Sequence, residues 1–126
     1  MNATYPKAEK LKKQKHIDLL FSEGKSVSKY PLRLVYAPLE ENEVPLEFGV
    51  SVSKRYFKKA VDRNYFKRVL RETYRLNKDL LHSNLKQPYA MMFFYQTKER
   101  LTYAEIDLKT KLLFEKFVEI AKENIP

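Results

Sequence analysis

GVSVSKRYFKKAVDRNYFKRVLRETYRL, residues 49–76, is the stretch on which the fold turns. It opens as a short apolar strand (Val50, Val52), passes through a basic turn and continues as a helix. The spacing predicts that helix from near Phe57–Lys59 to about Asn77, with Asp62 in its first turns, where a carboxylate suits the helix dipole. At about 100° per residue, Arg63, Asn64, Lys67, Arg68, Arg71 and Arg75 fall within an arc of about 140°. Val61, Tyr65, Phe66, Val69, Leu70 and Tyr74 fill the opposite arc and are expected to be buried. Residues 51–75 hold nine Lys/Arg against two acids, +7 of the chain's formal +9. A merely solvated helix would mix Glu with Lys four residues apart. This face has no acid, so binding to a polyanion is expected here, and Lys54, Arg55, Lys58 and Lys59 extend the same charge into the turn.

Working outward, the strand before this helix and the apolar run Tyr89–Tyr95 after it make a strand–helix–strand unit whose strands should be parallel neighbours. Tyr89–Tyr95 (YAMMFFY) has the continuous apolarity of a strand buried on both sides, and its methionines read as core filler. Upstream, Tyr30–Pro38 alternates as a strand, with Leu32, Leu34 and Tyr36 on one face and Arg33 and Val35 on the other. The acidic connection Leu39–Leu46 (Glu40, Glu41, Glu43) is expected to close a hairpin onto Leu46–Ser53. From Lys10 to Glu23, Leu11, Ile17, Leu20 and Phe21 mark a short amphipathic helix that Gly24 should stop in the left-handed conformation. Its lysines (7, 10, 12, 13 and 15) read by themselves as a solvated face. Residues 1–9, with Pro6, are expected to be a loose arm. Thr102-x-x-Glu105 is a capping box opening a last helix to about Asn124, buried through Ile106, Leu113, Phe117 and Ile120. The pattern α-β-β-α-β-α implies an α+β sandwich of one small central sheet with helices, in a single domain spanning residues 1–126.

Composition sets limits on function. The 126 residues, 44% hydrophobic, are enough for one modest core. The formal charge of +9 favours nucleic acid over an acidic membrane surface. There is no cysteine, which excludes disulfides and thiolate metal sites. The longest apolar run is too short to span a bilayer. A soluble, cytoplasmic protein without membrane association is expected. His16 and His82 stand in unrelated elements without metal-ligand spacing, and His16 reads as a surface side chain. No phosphate-binding glycine loop or nucleophile motif occurs, and the acids are scattered. No catalytic residue and no protein-held metal are expected; any chemistry should come from a partner.

Gly49-Val-Ser-Val-Ser-Lys-Arg, followed by Ala60-Val61-x-Arg63-Asn64-x-x-Lys67-Arg68-x-x-Arg71-Glu72, resembles the R-N-R signature of the bacterial ribonuclease P protein family. Leu11-Lys12-Lys13 and Phe21-x-x-Gly24 are similar to that family's first helix, so the resemblance runs from about Lys10 to Asn77. It implies the ribosomal protein S5 domain 2-like fold with a left-handed β-α-β crossover. It implies a subunit of a tRNA-processing endoribonuclease that removes the 5′ leader of precursor tRNA, with the RNA subunit as catalyst. The implied partners are the ribonuclease P catalytic RNA and precursor tRNA, with a protein that is monomeric outside the holoenzyme. The implied cofactor is Mg²⁺, held by RNA and substrate. Carried over by position, Arg63, Asn64, Lys67, Arg68 and Arg71 form the RNA-binding face, with Lys54 and Arg55 as its basic lead-in; Lys58, Lys59 and Arg75 extend it by charge and position. Ile17, Phe21, Leu34 and Tyr36 form the implied leader cleft, where rings can stack on bases. The sequence departs from the family where Tyr65 replaces the second arginine of R-N-R, and where the turn 56–59 lacks a glycine. The alternative class is a structural RNA-binding protein such as a ribosomal one.

Overall fold

The computed structural model describes residues 5–123. A 3-10 turn (Lys7–Glu9) precedes helix α1 (Gln14–Glu23), strands β1 (Lys25–Lys29), β2 (Leu32–Pro38) and β3 (Leu46–Val52), helix α2 (Ala60–His82), strand β4 (Tyr89–Tyr95) and helix α3 (Tyr103–Glu123). The fold is α+β, with one mixed sheet in the order β1-β2-β4-β3. β4 runs parallel to β3, setting Val50 against Phe93, so the pairing expected around the central helix is present. The expected hairpin between β2 and β3 is not. β4 lies between them, antiparallel to β2 with Leu34 against Phe93. The acidic loop therefore crosses from one side of β4 to the other. β4 takes the central place because its side chains are apolar on both faces.

Strand β1 has no counterpart in the sequence reading. Lys25-Ser-Val-Ser-Lys29 is polar apart from Val27, the one buried residue, and only pairing with β2 makes it a strand. Its two lysines suit an edge, where charge discourages pairing with another chain.

The sheet carries an apolar cluster on each face. The larger joins Leu32, Leu34 and Tyr36 of β2, Phe48 of β3 and Phe93 of β4 to Phe66, Leu70 and Tyr74 of α2 and to Phe114 and Phe117 of α3. α2 packs on β3 and β4, and α3 on β1 and β2. Tyr74 stacks on Phe48 at 3.8 Å, and Phe66 on Tyr95 at 4.6 Å. Each such ring, fully buried, contributes about 1.5–3 kcal/mol of transfer free energy. The smaller cluster seats α1 on the other face through Leu20, Ala37, Leu39 and Ala90.

Several boundaries differ from expectation for local reasons. Lys10 and Leu11 are extended rather than helical: Lys10 bridges to Phe48, whose carbonyl accepts from the Leu11 N–H at 3.1 Å. Gly24 is not a left-handed stop, since its φ is −65° and ψ 140°. Glycine is required there by close approach, because a Cβ would lie 2.2 Å from the Leu20 carbonyl oxygen and 2.8 Å from Val35. α2 runs on to His82 because its last turns remain covered, with Leu81 fully buried. The α3 capping box forms: Glu105 N–H donates to Thr102 Oγ1 at 3.2 Å, and Thr102 N–H to Glu105 Oε1 at 3.0 Å. The expected end of α3 at Asn124 lies outside the described residues.

Within the described residues, from Tyr5 onward, the arm is not loose. Tyr5 sits edge-on to Tyr74 at 5.2 Å, and its hydroxyl donates to the Phe48 carbonyl. The Glu9 carboxylate accepts from the Tyr74 hydroxyl at 3.1 Å and from Lys78 Nζ at 3.2 Å. Burial, with Glu9 alongside, pushes the Tyr74 hydroxyl far above its ordinary pKa, so it remains a donor. The arm is thereby tied to the β3 edge and to α2.

Candidate nucleic-acid interface

α2 presents its basic face because its other side is committed to the sheet. Asn64, Arg68 and Arg71 are exposed and Lys67 is half-buried. None of the four side chains makes a hydrogen bond or ion pair with another described residue. Arg75 differs. The Glu72 carboxylate accepts from its Nε at 3.0 Å and from Nη2 at 2.5 Å. That pairing holds Glu72 below the usual carboxylate range. The six-residue basic arc has no acid of its own, and Glu72 borders it near its C-terminal end.

Arg63 has a structural duty as well as a charge. Half-buried, it donates from Nη1 to the carbonyls of Phe57 (3.0 Å) and Lys58 (2.7 Å). The turn it holds is fixed from three more directions. The Ser53 carbonyl accepts from the N–H groups of Tyr56 and Phe57 at 3.1 and 3.2 Å. Phe57 is buried on Phe66 at 4.8 Å. The guanidinium of Arg100 lies 5.2 Å from the Phe66 ring and pairs with Asp62 at 3.1 Å. Lys54, Arg55, Lys58 and Lys59 are exposed on this held backbone. A turn without glycine needs no positive φ here, since no residue adopts one.

The apolar arc is covered only from Phe66 onward: Val61 is 71% exposed and Tyr65 40%. Both were expected inside. The arm adds cations on the other flank, where Lys10 Nζ lies 5.7 Å from the Tyr5 ring. Burial raises the Tyr5 hydroxyl to about 12 even though the Arg71 charge pulls it down. Arg71 thus lies close enough to the arm for its charge to act on Tyr5.

A second surface lies on the face of the sheet that α1 covers only in part. Strand register aligns Ser28, Arg33, Phe94 and Ser51 in one row, and Ser26, Val35, Met92 and Gly49 in the next. A cleft of ≈ 140 Å³ there is lined by Phe21, Arg33, Val35, Met92 and Phe94. It is too small to enclose a drug-sized ligand, which needs about 300 Å³ or more, and suits contact along an open surface. Phe21, 75% exposed, stands at it.

Of the four residues assigned to a leader cleft, only Phe21 lines this one. Ile17 is half-buried on α1. Leu34, 0% exposed, and Tyr36, 8% exposed, point to the opposite face. Tyr36 packs edge-on to Phe117 at 4.8 Å and lines a separate cavity with Leu19 and Tyr89. In a strand a shift of one residue exchanges the faces. Arg33 and Val35 carried the available signal, since the alternation already set them apart from Leu34 and Tyr36. His16 is another correction. It is buried rather than superficial, its Nδ1 lying 2.7 Å from Glu47 Oε1 and joining α1 to β3. Among the described residues, no group of three His, Cys, Asp or Glu side chains is placed to hold a metal.

Exposed cations on a held helix, and an open sheet face carrying rings, suit phosphate contact and base stacking respectively. The Ribonuclease P family model matches residues 5–118. A ribonuclease P protein component from Porphyromonas gingivalis is 43% identical over 98 residues, covering 75% of this chain and 72% of that one. Another, from Caldanaerobacter subterraneus, is 38% identical over 106 residues, covering 82% and 80%. The solved structure of the Staphylococcus aureus RNase P protein shares the fold at a TM-score of 0.64 and 24% identity, covering 92% of this chain and 97% of that one. The chain belongs to the ribonuclease P protein component family.

Proposed function

We propose that the chain binds the RNA subunit of ribonuclease P through α2 and the turn before it, and holds the single-stranded 5′ leader of precursor tRNA on the open sheet face. The observation that carries the proposal is the set Asn64, Lys67, Arg68 and Arg71, held on one rigid helix without internal hydrogen-bond or ion-pair partners. Buried charges are normally paired, and surface ones gain little from pairing; a cluster of one sign left unpaired suits a polyanion. Phosphate contact by such side chains is independent of base sequence. The leader fits the second surface because Phe21 and Phe94 offer ring faces to any base and Arg33 offers a cation beside them.

We take the reaction's Mg²⁺ to be held by RNA and substrate, as the family resemblance implies; among the described residues no group of three His, Cys, Asp or Glu side chains is placed to hold one. Bound there, the metal would stabilise the charge that develops at the scissile phosphate. The protein's own residues do something different. They position the RNA, orient the leader and lower the repulsion between the two polyanions.

Reconstitution tests this directly. The chain should restore cleavage of precursor tRNA by a bacterial ribonuclease P RNA at low Mg²⁺, and no stimulation would refute the proposal. Phe21→Ala should weaken binding of leader-containing tRNA more than that of mature tRNA; equal effects would remove the leader from this cleft.

A further inference from the structure

Tyr65 occupies an unusual position on α2. It is an aromatic residue 40% exposed within the most basic part of the chain. Its ring stands nearly perpendicular to Phe66, at 4.9 Å and 85°. Phe66 is itself immobilised, stacked on Phe57 at 4.8 Å and on Tyr95 at 4.6 Å. The Tyr65 ring is therefore set in orientation by the core while remaining open. Its hydroxyl makes no hydrogen bond with another described residue. Val61, 71% exposed, lies one turn before it, and the exposed Arg68 one turn after, on the same stripe. A ring left exposed for want of space is normally a detail of the surface. A ring fixed by the core and bordered along the helix by Val61 and the cation Arg68 faces whatever that cation holds.

We infer that Tyr65 is a stacking platform for an unpaired nucleobase of the RNA held by α2, with Val61 as the apolar shelf beside it. This rests on the functional reading given above and adds a contact of a different physical kind. The cations hold phosphates, and their contribution weakens with salt as counterions compete. Stacking on a phenol ring displaces no counterion, and alanine substitution at such contacts lowers affinity about 5- to 100-fold per base. A helix face that combines both fixes the RNA in position along the helix, not merely against it.

The test is titration of a bacterial ribonuclease P RNA with wild-type protein and Tyr65 variants across a salt series. Tyr65→Ala should weaken binding about 5- to 100-fold at every salt concentration, leaving the slope of log affinity against log salt unchanged. Tyr65→Phe should stay within about threefold of wild type, because the ring face survives. Tyr65→Leu keeps an apolar contact with Phe66 and should lose as much affinity as alanine; it decides the matter if the alanine variant unfolds. Tyr65→Arg should steepen the slope by about 0.7–0.9, one added phosphate contact. Alanine and leucine variants that bind within twofold of wild type, or an arginine variant with a wild-type slope, would overturn the assignment. Failure of the wild-type protein itself to bind would instead reject the functional reading on which it rests.

Discussion

α2 and α3 are nearly equal in length, 23 and 21 residues, and together they seal the same face of the sheet. They treat charge in opposite ways. α3 begins with a capping box made by its own side chains, and Asp107 and Lys111 pair at 3.1 Å along its surface. α2 has no side-chain cap at Lys59 and stacks like charges four residues apart: Arg63–Lys67, Lys67–Arg71 and Arg71–Arg75. Each such pair costs about 0.2–0.5 kcal/mol in an isolated helix. The Glu72–Arg75 pair and the Asp62–Arg100 pair relieve only the ends of that run. The difference separates a helix whose polar surface is complete within the protein from one whose polar surface is left open, as the RNA contact proposed above requires. Both rest on the same apolar cluster, so the contrast lies on the outward faces.

That contrast can be broken most forcefully from the inside of α2. Phe66→Ala should cost about 3–5 kcal/mol of stability in a urea titration, because its ring joins Phe57, Tyr95 and the helix. A loss below about 1 kcal/mol would mean that the inner face of α2 does not hold the fold. On the outer face, Lys67→Ala combined with Arg71→Ala should leave stability within about 0.5 kcal/mol. The same double variant should flatten the salt slope of RNA binding by about 1.4–1.8, two phosphate contacts; an unchanged slope would remove these cations from the interface. Arg63→Ala should fall between the two. It weakens RNA binding and also costs about 1–2 kcal/mol, because the carbonyls of Phe57 and Lys58 lose their donor. Stability equal to wild type would reassign Arg63 to the purely outward group.

On α3 the expected effects are smaller and confined to folding. Thr102→Ala should cost about 1 kcal/mol through loss of the cap and leave RNA affinity unchanged. The smallest effect concerns pH. The backbone N–H of Thr102, with its hydroxyl, holds the Glu105 carboxyl below its ordinary value of 4.5. The folded state thus binds the proton less readily than the unfolded chain. The stability advantage of wild type over Glu105→Gln should be full above pH 4.5 and fade as pH falls through the lower folded value. An advantage unchanged into strong acid would show that the carboxylate is not the group that matters.

The central helix, its basic face and the parallel strands around it could be read from the chain because each rests on local periodicity. The register of 100° per residue separates Arg71 from Leu70 without knowledge of anything else. Strand β1 escaped for the complementary reason: with Val27 its only apolar residue, it is made by pairing and not by pattern. The position of β4 between β2 and β3 was equally invisible, since a short acidic loop suits a hairpin as well as a crossover. The burial of Leu34 and Tyr36 is hidden for a subtler reason. Alternation in β2 divides its residues into two sets but does not say which set meets the helices. Tyr36 was placed by its resemblance to cleft aromatics, yet the packing of Phe117 and Tyr89 claims it for the core. Arg63 and Tyr65 show the limit on α2 itself, where helical phase gives direction but not what a side chain meets at the end of it.

The late position of β4 in the chain has a consequence for synthesis. β3 has no strand neighbour except β4, apart from the single bridge between Phe48 and Lys10. A nascent chain that has emerged only as far as α2 therefore holds β1–β2 and β3–α2 without the strand that joins them, linked through the arm and α1 by Lys10 to Phe48 and His16 to Glu47. The sheet can close only once Tyr89–Tyr95 inserts, making pairings as distant in sequence as Leu34 with Phe93. Such non-local closure is intrinsically slow and leaves apolar strand edges open while it lasts. The lysines of β1 blunt the outer edge of the sheet throughout, whereas the β2 and β3 edges stay open until β4 fills the place between them.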